Sequence, residues 1–252
     1  MPTFRPRFPR ASPMFAGLIL FGLGVARLNA QAPVSTAGTR VEWWHGLIAV
    51  GGYALLTTMD GGIKRFAADH RSDGSDAFSG AVRKMGQPEV FIPVAIGVLA
   101  TGLVSGNTRV RGAGVRITGS LALTGAIVTV VKFAAGRSRP SRHGSDADDF
   151  NPFSGATSTP SGHAAMAFAL ATSLSDQFGK PWASAILFTA ATGTAWSRVN
   201  DNVHWFSDVV AGAAIGIVTA RFADGKLTLF GLSAPRLSPS TDGMSLTWKG
   251  QF

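Results

Sequence analysis

Pro160–Leu174 reads PSGHAAMAFALATSL. Pro160 and Ser161 stand where a helix start belongs, because a serine hydroxyl can accept from the first-turn amides. The apolar run Ala164–Leu174 then continues as helix. Five further apolar segments lie along the chain: Gly46–Met59, Val90–Val104, Ile117–Val131, Trp182–Trp196 and Val209–Ala220. Turn-forming clusters separate them at Asp69–Asp76, Ser105–Gly114, Gly136–Pro160 and Asp176–Pro181. A shorter amphipathic helix is expected over Asp76–Met85, with Ala77, Phe78, Ala81, Val82 and Met85 on one face. The fold class is therefore all-α, with about six to seven helices.

The two ends of the chain differ from this body. Arg5, Arg7 and Arg10 precede the apolar run Met14–Ala26, and Leu28-Asn29-Ala30 offers a cut site after Ala30. That pattern is expected of a secretory signal peptide over residues 1–30, exporting the remainder to the periplasm or cell envelope. Residues 31–45 read as a linker and 46–225 as the helical domain. In the tail, Leu227–Phe230 and Met244–Trp248 alternate polar with apolar around Ser238–Gly243, so a short C-terminal β-hairpin is expected within 226–252. Counted up to the turn-forming clusters that bound them, the uncharged runs of the body span 12 to 17 residues, below the roughly 18 to 20 that a membrane span needs. A soluble or peripheral domain is expected on that count, with an integral one as the alternative.

The chain is 46% hydrophobic and 15% charged, carries a formal charge of +9, and has no cysteine. Disulfides and thiolate metal sites are excluded. Setting aside the four arginines of residues 1–30 leaves 19 basic against 14 acidic residues. That balance can attract anions or membrane surfaces. It lacks the basic stripe with interleaved aromatics that nucleic-acid binding uses.

Three short stretches carry chemistry. In Ser197–Asp208, His204 and Asp208 are four residues apart, so on a helix they share a face. A carboxylate on one imidazole nitrogen fixes the tautomer and leaves the other nitrogen as a nucleophile. Around Ser161, a helix N-terminus offers unpaired amides to an anion. Gly162 leaves room there, and His163 beside that anion is expected to be protonated and to act as general acid. In Lys132–Pro140, Lys132 follows fifteen uncharged residues, a costly place for a cation unless an anion binds there. Arg139 is stiffened by Pro140, and Arg198 supplies a planar fork for phosphate oxygens. The set amounts to three cations, helix-end amides, a nucleophilic imidazole and an acidic one. It suits phosphoryl transfer, which needs charge neutralisation and in-line positioning, without a metal cluster.

These residues, K-x6-RP at Lys132–Pro140, PSGH at Pro160–His163 and SR-x5-H-x3-D at Ser197–Asp208, resemble the three-part signature of the type 2 phosphatidic acid phosphatase superfamily. That superfamily includes bacterial non-specific acid phosphatases and vanadium haloperoxidases. The resemblance spans about Gly46–Ala223. It implies a helical bundle with the site between facing helices, His204 as the phosphorylated nucleophile, Asp208 orienting it, and His163 as proton donor. It further implies that Lys132, Arg139, Arg198, Ser161 and Gly162 bind phosphate, that no metal cofactor is used, and that vanadate can mimic the phosphoryl group. The expected function is hydrolysis of a phosphomonoester or lipid phosphate or diphosphate through a phosphohistidine. The alternatives are a vanadate-dependent haloperoxidase and a non-catalytic envelope protein that binds phosphate or lipid. Substrate selection is expected in Ser141–Thr159, where Phe150 and Phe153 are candidates for an apolar mouth. Trp43 and Trp44 are expected to pack in the bundle, with a membrane interface as the alternative.

Overall fold

The computed structural model describes residues 39–142, 146–240 and 243–247. The expected signal peptide, residues 31–38 of the expected linker, and His143 lie outside the described residues. Among those described, seven α-helices form the body: α1 (Trp43–Asp69), α2 (Asp73–Val82), α3 (Pro88–Val104), α4 (Thr108–Ala135), α5 (Gly162–Phe178), α6 (Pro181–Asn200) and α7 (Phe206–Ala223). A 3-10 turn over Arg83–Gly86 joins α2 to α3. The all-α class holds. Two helix starts fall inside stretches expected to be turns. The Ser72 hydroxyl accepts from the Ser75 amide to start α2, and the Asn107 side chain accepts from Arg109 and Val110 to start α4. Caps of this kind bring the helix start close to the preceding chain.

Helix α5 is the centre of the bundle. Ala164, Ala165, Ala167, Ala169 and Ala171 have no exposed surface, and α4, α6 and α7 pack around them. The small side chains let α5 approach its neighbours closely, the packing habit of helices whose association does not depend on water. A buried Thr124–Thr219 hydroxyl contact of 2.6 Å adds a polar tie between α4 and α7.

The tail differs in detail from the expected hairpin. Strand β2 (Leu227–Leu229) pairs in parallel with β1 (Thr39–Val41) at the other end of the chain. The hairpin is formed by β3 (Arg236–Ser240) with β4 (Gly243–Thr247). Leu227–Leu229 has the alternation of a strand, but alternation does not name the partner.

Helix α1 has 27 residues and α4 has 28, about 40 Å each, against a hydrocarbon core of roughly 30 Å. Four segments are long and apolar enough to cross a membrane: Trp43–Asp69, Asp73–Val104, Thr108–Ala135 and Phe206–Ala223. Counting uncharged runs understates them, because helices continue through charged residues near their ends. In α1 only Asp60 and Ala67 are buried, while Leu47, Ile48, Val50 and Leu55 are each more than 60% exposed. Trp43 and Trp44 are also exposed and do not pack in the bundle. An apolar face turned outward over this length fits membrane association.

Candidate active site

The first chemical stretch is aimed by the end of α4. Gly136 takes the left-handed conformation at φ 56°, and a methyl group there would stand 1.7 Å from the Asn151 carbonyl oxygen. Only glycine fits that turn. The chain then leaves α4 and is held against residues 149–151. Ser138 N–H donates to Asp149 O at 3.0 Å and Asn151 N–H to Gly136 O at 3.0 Å. Trp205 Nε1 donates to Ser138 O at 2.9 Å and Lys64 Nζ to Pro140 O at 2.9 Å. These bonds fix the backbone that carries Arg139. The Lys132 ammonium donates to the carbonyls of Thr157 and Ser158, so it lies beside the chain that enters the second stretch.

Ser161 is the N-cap of α5, as expected, with its hydroxyl facing the Ala164 amide at 3.5 Å. Its own amide donates to Asp208 O at 2.9 Å, which ties the starts of α5 and α7 together. A methyl at Gly162 would meet nothing nearer than Val128 Cγ1 at 3.8 Å. Packing therefore does not demand glycine there, and the bare backbone is left for a ligand.

The third stretch departs from its expected geometry. His204 is not on a helix. It lies in the connection between α6 and α7, where the amides of Val203 and His204 both donate to Arg198 O at 3.2 Å. Asn202, at φ 56°, makes the turn in a conformation asparagine tolerates better than most residues. Asp208 sits in the first turn of α7 and accepts from the Trp205 amide at 2.9 Å. His204 Nδ1 then faces Asp208 Oδ2 at 3.6 Å, longer than a hydrogen bond. The pair meets, but through a helix cap rather than along a helix face.

Electrostatics link the three stretches. His204 is buried at 4% exposure. Burial pushes its pKa down, Asp208 opposes that, and the charges of Lys132 and Arg139 add to the depression. The imidazole is therefore neutral near pH 7 with a lone pair available. His163 is pushed down to about 4, first by burial and then by Arg198, His204, Arg83 and Arg139. Those influences act on the ligand-free site, where burial and the surrounding cations both disfavour the imidazolium. A bound phosphate dianion would oppose them. Arg198 Nη1 lies 3.3 Å from Asp201, while its buried Nε has no hydrogen-bond partner. An orphaned guanidinium N–H beside His163 is a natural anion donor.

A family model described as the PAP2 superfamily matches residues 113–224, the stretch that holds all three motifs. Residues 113–224 thus resemble the PAP2 superfamily. The chain is also similar to a lipid A 1-phosphatase of Porphyromonas gingivalis, with 41% identity over 100 residues. Those residues are 39% of this chain and 20% of that protein, so the likeness spans about a fifth of the relative's length. The crystal structure of Aquifex aeolicus LpxE superposes with a TM-score of 0.52 at 27% identity, covering 66% of this chain and 94% of that one. A transmembrane PAP2-type phosphatidylglycerolphosphate phosphatase from Bacillus subtilis has a TM-score of 0.55 at 19% identity, covering 85% and 96%. At that identity the likeness is one of fold.

The three motifs are accompanied by functional groups that motif spacing did not reveal. Arg137 has no exposed surface, and its guanidinium lies 2.7 Å from Asp60 and 2.6 Å from Asp208. Ser158 donates to Asp208 Oδ2 at 2.5 Å, and the Thr159 hydroxyl also reaches Asp208. Arg83, from the 3-10 turn, adds its charge beside His163. A sequence signal for Asp60 exists: it is an acid within the otherwise uncharged stretch 46–63 of α1, the same kind of anomaly that marked Lys132. In the loop, Phe153 stacks edge-on to Phe133 at 5.2 Å, and Phe150 lies over Arg137 at 4.9 Å.

Proposed function

We propose that this chain is a membrane-bound phosphoric-ester hydrolase of the cell envelope that removes phosphate from a lipid phosphate through a phosphohistidine. The observation that carries the reading is a buried, neutral His204 backed by Asp208 at 3.6 Å, within electrostatic reach of Lys132, Arg139 and His163. In the first step the free imidazole nitrogen of His204 attacks phosphorus. The bond from phosphorus to the lipid oxygen breaks, and His163, protonated while the dianion is bound, gives its proton to that oxygen. In the second step His163 takes a proton from water, the hydroxide attacks the phosphohistidine, and inorganic phosphate leaves with His204 restored. Lys132, Arg139 and Arg198, with the Ser161 hydroxyl and Gly162 amide, neutralise the equatorial oxygens, the task that metal ions perform in other phosphoryl-transfer enzymes. A lipid substrate is supported by the outward apolar faces of the helices and by the likeness to a lipid A 1-phosphatase.

The test is phosphate release from phosphatidic acid in detergent micelles with EDTA present, together with acid-quenched trapping of radiolabelled phosphate on the protein. The expected result is turnover in EDTA, label on the wild type, and loss of both in His204→Ala. Carbonate washing should leave the protein in the membrane. Turnover that survives His204→Ala would refute the assignment.

A further inference from the structure

We infer that Asp60 of α1 is a positioning residue of the catalytic site, fixing the Asp208 carboxylate against His204 through Arg137. This rests on the phosphohistidine reading above and extends it to a helix outside the matched residues 113–224.

The geometry is a closed polar cluster with no exposed surface on Arg137, Ser207 or Asp208 and 1% on Asp60. Arg137 Nη2 donates to Asp60 Oδ2 at 2.7 Å, and Nη1 to Asp208 Oδ1 at 2.6 Å. The Ser207 amide donates to Asp60 Oδ1 at 2.8 Å and its hydroxyl to Oδ2 at 2.6 Å. Arg137 Nη1 also donates to Ser207 Oγ at 2.7 Å. Both Asp60 oxygens are therefore spent on the guanidinium and on the first turn of α7. With its Oδ1 held by Arg137 and Thr159 and its Oδ2 by Ser158 and the Trp205 amide, Asp208 cannot rotate. The oxygen facing His204 Nδ1 is fixed by that exclusion. Tyr53, seven residues before Asp60, brings its hydroxyl to Arg137 at 3.0 Å and to Thr159 at 2.6 Å. Asp60 and His204 also line one small cleft, with Lys64, Asn202 and Trp205.

Charge gives the arrangement a purpose. Without Asp60, the Arg137 cation would act on Asp208 alone and cancel the negative charge that His204 needs when its ring becomes cationic on phosphorylation. With Asp60 present, two carboxylates surround one guanidinium and a net negative charge remains beside the imidazole. A buried acid in a membrane helix is costly unless so paired. A carboxylate that only stapled α1 to the bundle would have no need to share the cation that holds Asp208.

The experiment compares Asp60→Asn, Tyr53→Phe and His204→Ala in the full chain in detergent. It measures kcat and KM for phosphatidic acid, inorganic phosphate affinity, and the His204 tautomer by nitrogen NMR. Asp60→Asn is expected to lower kcat about 10- to 100-fold, to shift the His204 tautomer, and to leave inorganic phosphate affinity within about threefold, because the phosphate grip of Lys132, Arg139 and Arg198 is untouched. Tyr53→Phe, which removes one hydroxyl, should lower kcat several-fold at unchanged KM. It carries the test alone if Asp60→Asn does not fold. Wild-type kcat in the variant tested, or turnover and inorganic phosphate affinity falling together, overturns the inference. An inactive His204→Ala beside a fully active Asp60→Asn sinks the role of Asp60 only, whereas an active His204→Ala sinks the reading beneath it.

Discussion

Gly212 and Gly216 lie one turn apart on α7, and replacing each with alanine separates the cost of packing from the cost of a displaced site. A methyl at Gly212 would stand 2.4 Å from the Ser161 carbonyl oxygen, and one at Gly216 would stand 2.2 Å from the Ala165 carbonyl oxygen. A carbon–oxygen contact relaxes only near 3.3 Å, so either change forces α7 away from α5 by about 1 Å. Overpacking on that scale costs roughly 1–3 kcal/mol, and both variants should lose stability by similar amounts. Their activities should differ. Ser161 caps α5, and its amide donates to Asp208 O at 2.9 Å. A 1 Å shift at Gly212 is thus applied to the residues that bind phosphate and orient His204. Misplacement of that size costs on the order of 100-fold in rate. Gly216 presses on Ala165 and Ala169, deeper in the bundle. Measured by phosphate release below the unfolding temperature of both variants, Gly212→Ala should lose about 100-fold in kcat/KM and Gly216→Ala less than about threefold. Equal activity in the two would refute the argument that the α5–α7 seam sets the site geometry.

The His163 assignment predicts a pH profile. Arg83 is one of the cations holding His163 at about 4, so Arg83→Gln should move the descending limb of kcat/KM to higher pH. The shift should be below about one unit, because Arg83 is partly exposed and screened; a shift to lower pH would contradict the assignment. At the other end of the bundle, the Asp224 side chain is 2% exposed and lies 3.6 Å from Arg116. Burial and the neighbouring Asp176 push it up to about 7, against Arg116 and Lys226. A carboxyl raised in the folded state contributes stability that is fully present below the usual carboxyl range near pH 4 and is lost as pH rises through about 7. Unfolding in detergent should therefore show stability falling with pH between those limits, by at most about 1.4 kcal/mol per unit. Asp224→Asn should flatten that slope, and an unchanged slope would rule Asp224 out as its source.

The sequence makes the helices and the gathered motifs legible because both are local. Apolar runs bounded by caps locate α1 to α7, although α1 continues ten residues past Met59 and α4 begins nine before Ile117, and Pro160–Leu174 is read correctly down to its Ser161 cap. What escapes it depends on contacts between distant residues. The four-residue spacing of His204 and Asp208 suits a helix face, yet it is met by a loop and a cap, since a helix boundary can fall anywhere between two such residues. Arg137 looks like any other polar residue beside Arg139, and its burial is decided by Asp60, 77 residues earlier. Thr39–Val41 and Leu227–Leu229 become partners only once the bundle brings the chain ends together. The membrane question was obscured by counting uncharged residues, when the informative quantity is which side of α1 faces outward.

The charges of the helical body lie at its two ends, which bears on where the phosphate must be met. No Asp, Glu, Lys or Arg falls between Arg116 and Lys132, between His163 and Asp176, or between Asp208 and Arg221. At 1.5 Å per helical residue, each of these gaps is about 20–24 Å. Lys132, His163 and Asp208 mark one end, and Arg116, Asp176 and Asp224 the other. Helix α1 agrees: it begins at Trp43, next to the strand that pairs with Leu227–Leu229 beyond the α7 end, and reaches the site at Asp60. Trp43, Trp44 and Trp182 are exposed at the end away from the site, where indole rings favour a bilayer surface. A belt of this height is shorter than the roughly 30 Å hydrocarbon core, so the long charged side chains at its two ends must reach outward to the interfaces. On the proposed reading, the phosphate pocket then sits at headgroup depth on one face, and a lipid phosphate can enter it without withdrawing its chains from the membrane. A soluble monoester gains no such anchoring, so its disadvantage should appear in KM rather than in kcat.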